Sequence, residues 1–230
     1  MDPRVIFEDE VLLIVDKPAG MVVNRAETTK GKVTLQDWLV ENKKIEIERA
    51  GIVHRLDKET SGLLVVAKVE TVMLALQKQF KDRTVQKTYW CLVHGKLTPK
   101  VGEVNVPINR NPFNRKRFGI FIGGREAKSE YEVLDYYHYK DEALSLVAVK
   151  PKTGRTHQIR VHLKHLGYPL VADEWYGGRK TSRNDRRWCP RLFLQAMSLS
   201  LIHPVTGLKQ QWKTELAVDL EGVLNKLVKD

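Results

Sequence analysis

The segment His54-Arg55-Leu56-Asp57-Lys58-Glu59-Thr60-Ser61-Gly62 runs straight into the apolar stretch Leu63-Leu64-Val65-Val66-Ala67. It gathers the groups of this chain best suited to chemistry. Asp57 has basic or hydroxylic residues close by, and Ser61-Gly62 marks a change of direction before a run that reads as a buried strand. A carboxylate presented on a loop by a rigid sheet, with cations nearby to keep it ionised, suits a nucleophile or a general base. Spacing alone favours a solvated charged turn, and that alternative stands at this point. His54 and His157 form no ligand set at metal-binding spacing with His162 or His165, so no metal is expected.

Other elements must position that turn. Residues 11–15 read as a buried strand ending at Asp16-Lys17-Pro18-Ala19-Gly20, where proline and glycine force a bend. Lys17 there can touch a substrate phosphate or simply solvate the turn. Residues 35–40 suit a short amphipathic helix, and residues 71–81, with Met73, Leu76, Gln77 and Phe80 three or four apart, suit a longer one. Over 85–93 the pattern alternates as in a two-faced strand, with Lys87 and Tyr89 on one face. Further strands are expected over 127–136 and 144–150. The clearest helix covers 156–166, with Gly167 just past its end and Pro169 beyond. Arg160 lies in its early turns, and Arg155 at its start has the wrong sign for the helix dipole and so invites an anion. Strands that do not alternate regularly with helices argue for an α+β fold rather than a doubly wound sheet.

The 230 residues suffice for one substantial domain or for two lobes sharing a cleft. With no repeat, low-complexity tract or linker, a single domain over 1–230 is expected. Cys91 and Cys189 show no CxxC spacing and are expected to be reduced thiols, consistent with a cytoplasmic protein. Acidic residues at the N-terminus and short apolar runs support neither export nor a membrane span. The net charge of +11 and a pI near 9.6 suit a polyanionic partner, with nucleic acid the first candidate. Arg179, Lys180, Arg183, Arg186, Arg187 and Arg191 crowd one segment against Asp185 alone, and Arg115, Lys116 and Arg117 form a second cluster. Both are candidate phosphate contacts. Trp175, Tyr176 and Trp188 lie near the first, where stacking on a base competes with ordinary packing.

Taken together, His54-Arg55-Leu56-Asp57 with Thr60-Ser61-Gly62, Lys17-Pro18-Ala19-Gly20, Lys87-Thr88-Tyr89 and Gly154-Arg155-Thr156-His157-Gln158-Ile159-Arg160 resemble the pseudouridine synthases of the RluA type. The four blocks fall in the family's order and span nearly the whole chain. The resemblance implies the pseudouridine synthase fold: a long, bent, mainly antiparallel mixed sheet with helices packed on it and a central active-site cleft. It implies isomerisation of uridine in ribosomal or transfer RNA without cofactor or metal, by a monomer. Many relatives carry an S4-type RNA-binding domain, which is expected to be absent here. Asp57 matches the family's catalytic aspartate, Arg160 the arginine that pairs with it, and Tyr89 the tyrosine that stacks on the target base. Arg55 matches a residue beside the flipped-out nucleotide, for which a turn ion pair with Glu59 is the structural alternative. Lys17 and Arg155 are weaker candidates for RNA contact.

Two positions depart from the family pattern. Gln195 follows Leu194 where many relatives have histidine, and Val22-Val23-Asn24-Arg25 replaces a frequent His-Pro. Neither carries the chemistry. A non-catalytic RNA-binding protein on the same scaffold would tolerate loss of Asp57, Tyr89 or Arg160, and all three are present. A hydrolytic glycosidase would usually need a second catalytic acid, for which Glu59 is the only neighbour of Asp57.

Overall fold

The computed structural model describes residues 2–115 and 117–230. In chain order the elements are β1 (Arg4–Glu8), β2 (Leu12–Lys17), α1 (Leu35–Lys43), β3 (Ser61–Ala67), α2 (Glu70–Lys81), β4 (Gln86–His94), β5 (Val101–Asn105), β6 (Asn109–Arg110), β7 (Phe118–Gly119), β8 (Lys128–Tyr139), β9 (Glu142–Pro151), α3 (Gln158–His165), α4 (Arg179–Asp185), β10 (Leu194–Ile202), β11 (Lys209–Lys213), α5 (Val218–Leu224) and β12 (Val228–Lys229). Strand-rich and irregularly interspersed with helices, this is the expected α+β class. Contacts group it into two units, Met1–Lys87 with Ala196–Glu215, and Thr88–Gln195 with Leu216–Asp230. Two of the divisions fall inside β4 and β10, which is why no linker composition marks them.

In the first unit β1, β2 and β3 are antiparallel neighbours, β10 follows β3, and β11 pairs with β10. All seven residues of β3 are buried. Its apolar side chains Leu63, Val65 and Ala67 meet Leu12 and Ile14 of β2 and Val72, Met73 and Leu76 of α2. The three α2 residues lie on one face of a 3.6-residue period, which is what made the helix readable. Helix α1 starts at a capping box, in which Thr34 Oγ1 accepts from Asp37 N and the Asp37 carboxylate accepts from Thr34 N.

The second unit is built on β4, β9 and β8, antiparallel in that order, with β5 and β12 both paired to β8. A short ribbon of β6 and β7 stands apart from this sheet. Leu92, Leu144, Leu146, Val171, Phe193 and Leu220 form its core. Helix α3 begins at Gln158, two residues later than periodicity suggests, because His157 takes a left-handed φ of 57°. Gly167, at φ 92°, ends the helix as expected. Helix α4 has no apolar stripe, and its buried residues are Ser182 and Asp185, so the hydrophobic pattern could not reveal it. Among the described residues no helix is long and apolar enough to cross a membrane.

Candidate functional site

The predicted residues divide between the units: Lys17, Arg55 and Asp57 in the first, and Tyr89, Arg155 and Arg160 in the second. In the first unit the register of β2 on β3 pairs Lys17 with Gly62, which sets the two motif turns side by side. The amide of Gly20 donates to the carbonyl of Lys58 at 2.7 Å, and Thr60 N closes the second turn on the carbonyl of Asp57 at 3.1 Å. Leu56, Thr60 and Ser61 are buried on either side of Asp57, which itself is half-buried. The carboxylate is therefore held by anchors both before and after it in the chain.

Gly62 has to be glycine. At φ +111° a Cβ would lie 2.3 Å from the carbonyl oxygen of Ala196. Gly51 obeys the same rule at the start of the segment that leads to Asp57, where a Cβ would meet the Ala67 oxygen at 1.8 Å. This segment runs along β3: Ile52 bridges to Val66, and His54 Nε2 accepts the Val65 amide at 3.0 Å. The His54 ring stacks on Phe80, with centroids 4.7 Å apart. Burial, followed by the charge of Lys87, pulls the His54 pKa down to about 3. Burial likewise lowers Lys87 to about 8. His54 is thus a neutral bracket between the motif and its strand.

Lys17 departs from its sequence reading as a phosphate contact. Its side chain is completely buried, and the ammonium donates to the carbonyls of Pro18 at 2.8 Å, Met21 at 3.0 Å and Lys58 at 3.4 Å. Those carbonyls belong to both motif turns, so the lysine ties one to the other. Arg55 is exposed.

In the second unit Tyr89 on β4 is buried and pairs with Val149 of β9. Arg160 on α3 is buried too, and Asp173 takes its guanidinium in a fork, with Nε to Oδ2 at 2.8 Å and Nη2 to Oδ1 at 2.7 Å. Trp175 and Tyr176 place their rings 5.5 and 5.1 Å from the same group. The remainder of the arginine motif holds this arrangement together. Gln158 accepts from the Thr153 hydroxyl and from Arg155 N, and donates to Lys128 O and Ser129 Oγ, tying the start of α3 to β8. His157 Nδ1 meets the Tyr176 hydroxyl at 2.8 Å. Arg155 lies before the helix, not within it, and its Nε donates to the carbonyl of Glu126.

Sequence reasoning missed Asp173, which sits in the run Leu170-Val171-Ala172-Asp173 with nothing to mark its partner. It also gave no role to Gln195, which is buried and accepts the Ala217 amide at 3.0 Å just before α5. In the first basic cluster, Arg186 pairs with Glu174 and Arg191 with Asp219, while Arg179, Lys180, Arg183 and Arg187 are exposed. Tyr176 and Trp188 are buried, the latter stacked on Tyr139. In the second cluster Arg115 is exposed and Arg117 half-buried, and Lys116 lies outside the described residues.

Among the described residues His94, Glu142 and Asp185 bring potential ligand atoms within 4.8 Å of one another. Their contacts are those of an ion-pair cluster: Nδ1 of His94 faces Glu142 at 2.8 Å and Nε2 faces Asp185 at 3.0 Å. Both ring nitrogens are thereby engaged. Burial opposes a charge on His94, but Asp185 and then Glu142 outweigh it and raise its pKa.

Comparison with known proteins places this arrangement. Residues 11–165 match the family model described as RNA pseudouridylate synthase. The chain is 40% identical over 236 residues to the ribosomal large subunit pseudouridine synthase D of Pseudomonas aeruginosa, covering 99% of this chain and 72% of that protein. It is also 40% identical to the enzyme of the same name from Nitrosomonas europaea, covering 97% of this chain and 65% of the relative. The fold matches human RNA pseudouridylate synthase domain containing 1 with a TM-score of 0.79 at 26% identity, over 100% of this chain and 89% of that one. The motif turns that Lys17 joins and the Gln158–Arg160 segment both lie within the matched residues, and the chain belongs to the RNA pseudouridylate synthase family of isomerases.

Proposed function

We propose that this chain converts specific uridines of structured RNA to pseudouridine with the Asp57 carboxylate as nucleophile. The N1–C1′ bond breaks, the uracil turns, a C5–C1′ bond forms, and the proton lost from C5 is balanced by one gained at N1. No oxidant, reductant or second substrate enters. Asp57 meets the positive character that develops at C1′, as a carboxylate does in the first half of retaining glycoside cleavage. Tyr89 packs against the base, and Arg160 supplies the cation that pairs with the nucleophile. Arg55 takes the space beside the flipped nucleotide, offsetting part of the few kcal/mol that unstacking costs. The observation that carries this reading is the anchoring of Asp57: buried neighbours on both sides hold a half-buried carboxylate on the edge of a buried strand.

Ribosomal RNA of the large subunit is the favoured substrate, since the relatives named above carry it in their names, and transfer RNA is the second. Exposed Arg179, Lys180, Arg183 and Arg187 supply a surface for the phosphate backbone. Four such contacts would reduce affinity about a hundredfold between 50 and 200 mM salt. An affinity flat across that range counts against this surface.

The deciding assay is tritium release from RNA labelled at uridine C5, with the native chain and Asp57→Ala side by side and the products checked for free uracil. Release by the native chain alone, without free uracil, is expected. Free uracil would indicate a hydrolase, and binding without release would indicate an RNA-binding protein on the same scaffold.

A further inference from the structure

We infer that Asp173 is a positioning residue for the isomerisation, fixing the orientation of Arg160; this rests on the reading of Arg160 above. Asp173 is completely buried, and its two oxygens accept four hydrogen bonds. Oδ2 takes Arg160 Nε, while Oδ1 takes Arg160 Nη2, Trp175 N and Tyr176 N. All four bonds come from Asp173's own unit, three to Oδ1 and one to Oδ2, which makes Asp173 a support for the guanidinium. One side chain thereby does two things. It holds one edge of the guanidinium in a planar fork, and it folds the turn that brings the Trp175 and Tyr176 rings against the same cation.

A bidentate pair through Nε and Nη2 fixes the plane of the guanidinium and therefore the direction of its other edge, formed by Nη1 and Nη2. The aromatic rings limit rotation out of that plane. A buried ion pair kept only for packing needs neither device, because an apolar pair of equal volume would be about as stable. Lysine could not substitute for Arg160 here, since an ammonium on a flexible stem has neither plane nor second edge.

The test is a double-mutant cycle on the full chain with Asp173→Asn and Arg160→Lys, read as kcat and KM on substrate RNA. The asparagine oxygen can keep the turn to Trp175 and Tyr176, but its amide sets a donor against the Arg160 Nε–H. Asp173→Asn is expected to lower kcat about tenfold or more with KM nearly unchanged, and to add less than about twofold once Arg160 is lysine. Losses that multiply in the double variant would overturn the inference, as would a native-like kcat in Asp173→Asn. If Arg160→Lys keeps full kcat while Asp173→Asn loses it, the inference fails and the isomerase reading survives. An arm independent of turnover is the Arg160 Nε–H proton resonance, expected to be slowly exchanging in the native chain and lost in Asp173→Asn at a temperature where both chains are folded. Retention of that resonance overturns the inference even in a chain that shows no isomerisation. Should Asp173→Asn not fold, Asp173→Glu keeps the charge and shifts it by one methylene, and the same kcat loss is expected.

Discussion

Mild acid should weaken this protein through His54. The Nε2 of its ring accepts the Val65 amide, and its pKa in the folded chain is lowered to about 3 from an ordinary value of 6.5. A group with a depressed folded pKa that is neutral when deprotonated binds protons more readily in the unfolded chain. Stability is therefore intact above about pH 6.5 and falls as the pH drops below it, until the folded ring itself protonates. At 1.36 kcal/mol per pH unit, lowering the pH from 7.5 to 5 should remove about 2 kcal/mol through this one side chain. That is a sizeable part of a typical domain stability of roughly 5–15 kcal/mol. The assay is urea unfolding across this pH range for the native chain and for His54→Gln, whose side-chain oxygen can keep the bond to Val65 but cannot titrate. The native chain should lose about 2 kcal/mol more than the variant. Parallel pH profiles, or a His54 ring resonance titrating near 6.5 in the folded protein, would refute the assignment of His54 as a neutral bracket.

Three other perturbations separate holding from touching. Lys17→Met strips the ammonium from three carbonyls and should cost about 3 kcal/mol or more in urea unfolding. The salt dependence of RNA binding should stay unchanged in the folded fraction, whereas a shallower slope would restore Lys17 as a phosphate contact. Gly62→Ala forces a Cβ onto the Ala196 backbone and should destabilise by more than about 2 kcal/mol, read as a lower urea midpoint or loss of soluble protein. His94 has the opposite sign to His54: its raised pKa gives stability that is full below 6.5 and is lost as pH rises through the folded value. Melting temperatures of His94→Gln should therefore fall less steeply than those of the native chain between pH 6 and 9, and identical slopes would exclude the bridge to Glu142 and Asp185.

Legibility followed the range of the interaction. Helix α2 and strand β3 could be read because an apolar period or run reports burial directly, and α3 because Gly167 and Pro169 mark its end. Helix α4 could not, since its residues are held by a buried Asp185 that meets His94, 91 residues earlier in the chain. The motifs themselves were conspicuous, yet several of their residues hold the turns. A lysine in a Pro-Gly turn reads as solvated, and only the pairing of β2 with β3 brings the carbonyls of 18, 21 and 58 around it. Gln158 and His157 stand beside Arg160 in the motif, and Gln158 bonds to β8 while His157 meets the Tyr176 hydroxyl. Asp173 lies in an apolar run 13 residues beyond Arg160. Nothing local pairs the two, because burying each charge is tolerable only with the other in place. The dense spacing of these motifs thus encodes restraint on a few side chains as much as the side chains themselves. A change at Lys17, Gly62 or Asp173 should therefore disturb the chemistry without removing any group that performs it.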